Sequence, residues 1–216
     1  MKKIIMLGLI LLLVGCSKTP ELKYEGDKEV YVCSKEDVDL LKYDVNVFAK
    51  VNQGFLTVDD NGMWNETINH EEDIELEYRE KDEDKKIVNS CYFINYDNMK
   101  HKYGSTTAIS FRDKELGGIR FHVKGEYEYT ISNMQKYYDI VLNTKDIETS
   151  METIYRKINT EVVATYILNM SSKTFAEMEQ EKVFNDTMLE RVNKITKELY
   201  GIELKQIDIH AVERVK

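Results

Sequence analysis

The chain has 216 residues, 30 of them basic and 39 acidic, for a net charge of −9. An acidic surface of this kind is repelled by nucleic acid and by anionic lipid headgroups, so neither is an expected partner. At 42% hydrophobic with 14 Tyr and 7 Phe, the sequence has enough apolar material for one sizeable core and is no disordered tail.

In chain order, Met1-Lys2-Lys3 is a short basic start, followed by an apolar run over residues 4–14. A membrane-spanning helix needs about 20 apolar residues, so the run reads as the hydrophobic region of a signal peptide. It ends in Leu13-Val14-Gly15-Cys16, the small-residue-then-cysteine pattern of a lipobox. Residues 1–15 are therefore expected to be removed and Cys16 to carry fatty acyl chains, the membrane being met through that lipid. Two or more chains, at about 0.8 kcal/mol per buried CH₂, anchor stably where one does not. Losing Lys2 and Lys3 with the leader makes the remaining chain more acidic still.

Residues 16–28 are expected to form the lipidated cysteine and a tether, reaching roughly 40 Å if fully extended. With Cys16 lipidated, Cys33 and Cys91 remain; outside the cytoplasm they are a disulfide candidate, the alternative being two buried thiols. Residues 29–216 read as a single domain.

Its first half is strand-like. Residues 30–32, the alternation of Val45, Val47, Ala49 and Val51, and residues 54–58 suggest short strands, with Asp59-Asp60-Asn61-Gly62 as a hairpin turn. Ile74, Leu76 and Tyr78 alternate with glutamates, residues 79–86 form a charged loop, and residues 87–96 are a further apolar strand. Over residues 118–131 apolar and polar positions alternate throughout, predicting a long strand with one wet face.

The second half turns helical. Ser132/Gln135, Thr149/Glu152 and Thr174/Glu177 read as capping boxes opening three helices. The stripe Met151, Ile154, Tyr155, Ile158, Val162, Tyr166 follows the second; Phe184, Met188, Val192, Ile195 and Leu199 follow the third, with Gly201 as its stop. Ile202, Leu204, Ile207 and Ile209 make a closing strand whose phase slips near Lys205-Gln206, predicting a bulge. The order is N-terminal short β-strands, a long β-hairpin, three helices and a closing β-strand: an α+β domain.

No catalytic constellation stands out, and no enzyme is expected. His70, His101, His122 and His210 lack ligand spacing, His70-Glu71-Glu72-Asp73 reads as a solvated acidic loop, and no cofactor motif is present. No metal or cofactor is expected.

Two stretches, residues 90–137 and 199–213, resemble the SPFH (stomatin, prohibitin, flotillin) or Band 7 domain, most closely its bacterial virion-core-protein-like branch. The likeness rests on Tyr92-Phe93-Ile94-Asn95, Gly104-Ser105, Phe111-Arg112-Asp113, then Gly125, Tyr127, Ile131 and Ser132, and last Tyr200-Gly201-Ile202, Leu204 and Ile209. It spans residues 44–213. The resemblance implies a non-catalytic scaffold or interaction module at a membrane, with a protein partner or self-association, and supplies no catalytic residues. Family members commonly run on into a ring-building coiled coil, which residues 1–216 do not contain, so lateral assembly by that route is not expected. A second expectation from the residues themselves is a small-ligand or substrate-binding lipoprotein with Tyr127, Tyr129 and Trp64 lining a pocket. A metal enzyme using His70 and Glu71 comes third.

Overall fold

The computed structural model describes residues 19–43, 45–62, 64–68, 74–78, 88–96, 99–182 and 184–215. The leader, Cys16, the lipobox residues Leu13, Val14 and Gly15, the His70 cluster and the charged run 79–86 lie outside them, as does the side chain of Trp64.

The first described segment is no free tether. β1 (Glu21–Lys23) runs parallel to β3 (Val45–Ala49), with β6 (Ile74–Tyr78) on the other side of β3. Leu22 is only 3% exposed, the Pro20 carbonyl accepts from Asn46 N at 2.9 Å, and Tyr24 stacks on Tyr31 at 4.3 Å. The tether expectation is thus corrected for residues 20–24, where one buried leucine and a row of main-chain hydrogen bonds bind the segment to the domain.

A second sheet has the order β2-β7-β4-β5, formed by β2 (Val30–Val32), β7 (Val88–Asn95), β4 (Gln53–Asp59) and β5 (Trp64–Ile68). The Asp59–Gly62 turn joins β4 to β5 as its sequence predicts, with Gly62 at φ +75° and Asp59 Oδ1 accepting from Asn61 N. Between β2 and β3 lies α1 (Lys35–Leu40), opened by a Ser34/Asp37 capping box. The two sheets enclose a small core of Leu22, Val45, Val47, Phe55, Phe93 and their neighbours.

The other face of the second sheet, with Leu56, Tyr92 and Ile94, belongs to a larger core. That core is closed by β8 (Met99–Gly104), β9 (Ile109–Asp113), β10 (Gly117–Ile131) and β11 (Ile202–Arg214), and by a helical layer. β10 is the organising strand: β11 pairs along one edge, β8 and β9 along the other. The bulge expected near Lys205-Gln206 is present, for Glu128 faces Gln206 while Tyr129 faces Leu204.

The helices are α2 (Met134–Tyr137, continued by a π turn over Tyr138–Leu142), α3 (Ile147–Met170), α4 (Phe175–Gln180) and α5 (Asp186–Tyr200). Two of the three predicted starts shift. Ser132 spends its N–H and hydroxyl on the Gly201 carbonyl, so Asn133 caps α2 instead. Asp146, three residues before Thr149, accepts from Thr149 N and opens α3 earlier. The Thr174/Glu177 box stands, but its helix ends at Gln180 and Asn185 caps a separate α5. On α5 the buried face ends at Thr196 rather than Ile195 and Leu199, and Leu199 is 53% exposed. Gly201 stops α5 at φ +67° as expected.

Candidate functional site

Four elements meet at one buried carboxyl. Glu29, just ahead of β2, is 5% exposed and receives hydrogen bonds from three tyrosines. Tyr137 Oη, from α2, donates to Oε1 at 2.5 Å; Tyr129 of β10 and Tyr155 of α3 both meet Oε2, and their two hydroxyls lie 2.8 Å apart. Each tyrosine arrives for its own reason: Tyr129 by strand alternation, Tyr137 from a helix turn fixed by Asn133, Tyr155 by the inward stripe of α3.

All three phenols donate to the carboxyl, and the hydroxyls of Tyr129 and Tyr155, converging on one oxygen, come within hydrogen-bond reach of each other. Burial raises the Glu29 pKa above the ordinary carboxylate value against the lowering effect of the three hydrogen bonds. The same burial raises the phenol of Tyr137.

Above this cluster opens a cleft of about 540 Å³, bounded by β2, β8 and the start of α3. Val30, Met99, Ile147 and Met151 supply its apolar lining; Lys28, Lys100, His101 and Glu148 add polar groups. His101 stacks on Tyr155 at 4.1 Å, and burial lowers its pKa, favouring neutral imidazole. Tyr129 and Tyr155 form part of the wall. Tyr127, expected as a pocket aromatic, is instead a core residue, 1% exposed, whose ring packs between Tyr103, Tyr129 and His101. The arrangement sets a buried, fully hydrogen-bonded carboxyl beneath a cleft that can receive a guest. Among the described residues, no three His, Cys, Asp or Glu side chains converge to hold a metal, and no helix is long and apolar enough to cross a membrane.

Cys33 and Cys91 meet in the smaller core, their Cα atoms 5.3 Å apart in the range a disulfide spans. Nothing in the local sequence around Glu29 announces the tyrosine cluster, whose partners lie 100 to 126 residues away.

The residues that carry the family likeness prove to be architectural. Asp113 Oδ1 accepts from Glu115 N and Leu116 N in the β9–β10 turn, while Oδ2 accepts from Phe175 N and so caps α4. These bonds, led by that from Leu116 N, hold its pKa below the usual carboxylate value. A side chain at Gly125 would place Cβ 2.0 Å from the Asp208 carbonyl and 2.5 Å from Tyr103 Oη. Gly201 leaves room for the Asn133 carbonyl, 2.4 Å from where a Cβ would stand. Ser105 Oγ accepts from Val123 N at 3.1 Å, pinning the end of β8 to β10.

No curated protein matches the chain. The SPFH domain-Band 7 family profile does, over residues 85–214, taking in β7 to β11 and α2 to α5. The match begins later than the residue 44 suggested by sequence likeness, leaving β1 to β6 outside it. Covering more than half of its length, this match places the chain in the SPFH domain-Band 7 family.

Proposed function

We propose that the chain is a lipid-anchored scaffold or protein-interaction module, without catalysis, on the extracytoplasmic face of a membrane. The observation that carries this is the family match over residues 85–214. The Leu13-Val14-Gly15-Cys16 pattern supports the anchor and the side of the membrane, and the close approach of Cys33 to Cys91 fits a disulfide in an oxidising compartment. We assign the chain to the bacterial virion-core-protein-like branch on the residues quoted above.

Two measurements test the reading. Cells fed a labelled fatty acid should label the wild type and not Cys16→Ser, and the variant should leave the membrane fraction; equal membrane retention of both, without label, sinks the anchor. Light scattering of the purified protein in detergent should find a discrete assembly or a stable complex with a membrane-fraction protein. A monomer that retains no partner removes the scaffold.

A second reading, capture of a ligand, has the cleft beside Glu29 in its favour. A ligand-dependent rise in melting temperature supports it.

A further inference from the structure

The two long walls of the cleft are strand edges, and their hydrogen-bond phase shows what they offer. In an antiparallel pair, opposed residues alternate between bonded to each other and turned outward. On β2, Asn95 N donates to Glu29 O and Cys33 N to Cys91 O, both at 2.9 Å. Those bonds make the odd positions face β7, so the N–H and C=O of Val30 and Val32 point away from it. On β8, Ser105 N donates to Val123 O at 2.9 Å. The same alternation turns the main-chain groups of Lys100 and Lys102 away from β10. Among the described residues β2 pairs with β7 alone and β8 with β10 alone. Val30, Val32 and Lys100 all line the cleft.

We propose that this cleft receives an extended polypeptide segment of a partner protein, laid between β2 and β8 as an added strand. The proposal deepens the interaction-module reading and rests on it.

Backbone chemistry selects this occupant. Two edges lining one cleft and displaying N–H and C=O groups at the strand repeat match a second backbone, which has donors and acceptors on both sides. The roof suits the side chains of such a segment. Ile147, Met151 and Tyr155 recur every fourth residue on α3, and with Met99 and Val32 they make an apolar surface. Val32 leaves 48% of its surface exposed there, and the two methionines adapt to guests of different shape. At the floor, the Glu29 carboxyl is occupied by the three tyrosine hydroxyls and leaves the strand edges as the polar groups open to a guest backbone. Lys100 pairs with Glu128 at 3.6 Å, so among the described residues lining the cleft Lys28 is the cation available to an acidic residue flanking the segment. The expected ligand is therefore an alternating aliphatic–polar stretch with an acid beside it. The cleft's about 540 Å³ admits a short segment of this kind and no folded domain.

The test uses the full chain in detergent and a capped, alternating valine–threonine hexapeptide at millimolar concentration, read by amide hydrogen exchange. Fragments covering Val30–Val32 and residues 100–102 should both exchange about tenfold more slowly with peptide present. The same peptide N-methylated at alternate amides should give no protection. Met151→Arg, at a half-buried roof position where an arginine can reach solvent, should abolish the protection with the melting temperature kept. Protection at one edge only, protection by the N-methylated peptide, or none at either edge overturns the added-strand proposal. If the assembly or partner complex persists in that case, the scaffold reading stands without it; if that is lost too, both fall.

Discussion

The two cores of this molecule solve stability differently. The smaller one, between the β1-β3-β6 sheet and the β2-β7-β4-β5 sheet, is aliphatic and aromatic, with Cys33 facing Cys91 inside it. The larger one, under the helices, buries Tyr103, Tyr127, Tyr129, Tyr137, Tyr138 and Tyr166, and with them a carboxyl. Small cores bury little apolar surface, and the disulfide proposed between Cys33 and Cys91 would compensate by restricting the unfolded chain. A large core has stability to spare for polar groups, provided their hydrogen bonds are complete. The family match follows the same line, covering most of the larger core and little of the smaller.

The sharpest way to break this contrast is to remove the proposed staple. The paired cysteines are 58 residues apart, so the loop-closure relation predicts a loss of about 4 kcal/mol when Cys33→Ala and Cys91→Ala are combined. Denaturant unfolding with and without reductant should show the wild type falling to the level of the double variant on reduction; insensitivity to reductant removes the staple and with it the contrast.

Next come the close approaches that build the larger core. Gly125→Ala sets a Cβ against the Asp208 backbone, which cannot step aside, and should cost about 1–3 kcal/mol by overpacking. Gly201→Ala adds a left-handed residue penalty of about 1–2 kcal/mol to its clash with Asn133 O. Urea midpoints unchanged by either substitution refute the architectural reading of the family glycines. Asp113→Ala should act more locally, loosening α4: amides at the start of that helix should exchange about tenfold faster while β1–β3 stays protected.

The smallest effect at neutral pH belongs to Glu29, and it separates the cores by their response to pH. Its pKa is raised on folding, so its contribution to stability is complete below the unfolded glutamate value, about 4.3, and is lost as pH rises through the folded value. Glu29→Gln should be near wild type at the acid end and should flatten the decline at higher pH; equal pH profiles for the two proteins remove the raised pKa.

How legible these features are in the sequence depends on whether their cause is local. The alternation over residues 118–131, the bulge at Lys205-Gln206 and the stop at Gly201 are written in consecutive residues, and each stands in the fold. Helix starts are less legible, because Asn133 and Asp146 cap Lys136 N and Thr149 N, while Ser132 is drawn to the Gly201 carbonyl and Thr149 already lies inside α3. β1 has no sequence signal, because a three-residue strand with one buried leucine has no period. The cluster at Glu29 left no trace at all: it exists only once four separate elements converge, and the residues between them carry no mark of it.

The hydrogen bond from Asn46 to Pro20 has a consequence for where the domain sits. With acyl chains on Cys16 as proposed, only three residues of chain lie between the lipidated cysteine and Pro20, a point fixed in the first sheet. Those four steps of chain reach at most about 14 Å, barely beyond the headgroup layer. The domain then rides against the bilayer like a float on a short line, with little freedom to tumble. Partners can approach it only across the hemisphere facing away from the membrane, and what it gathers is gathered within the thickness of one small protein.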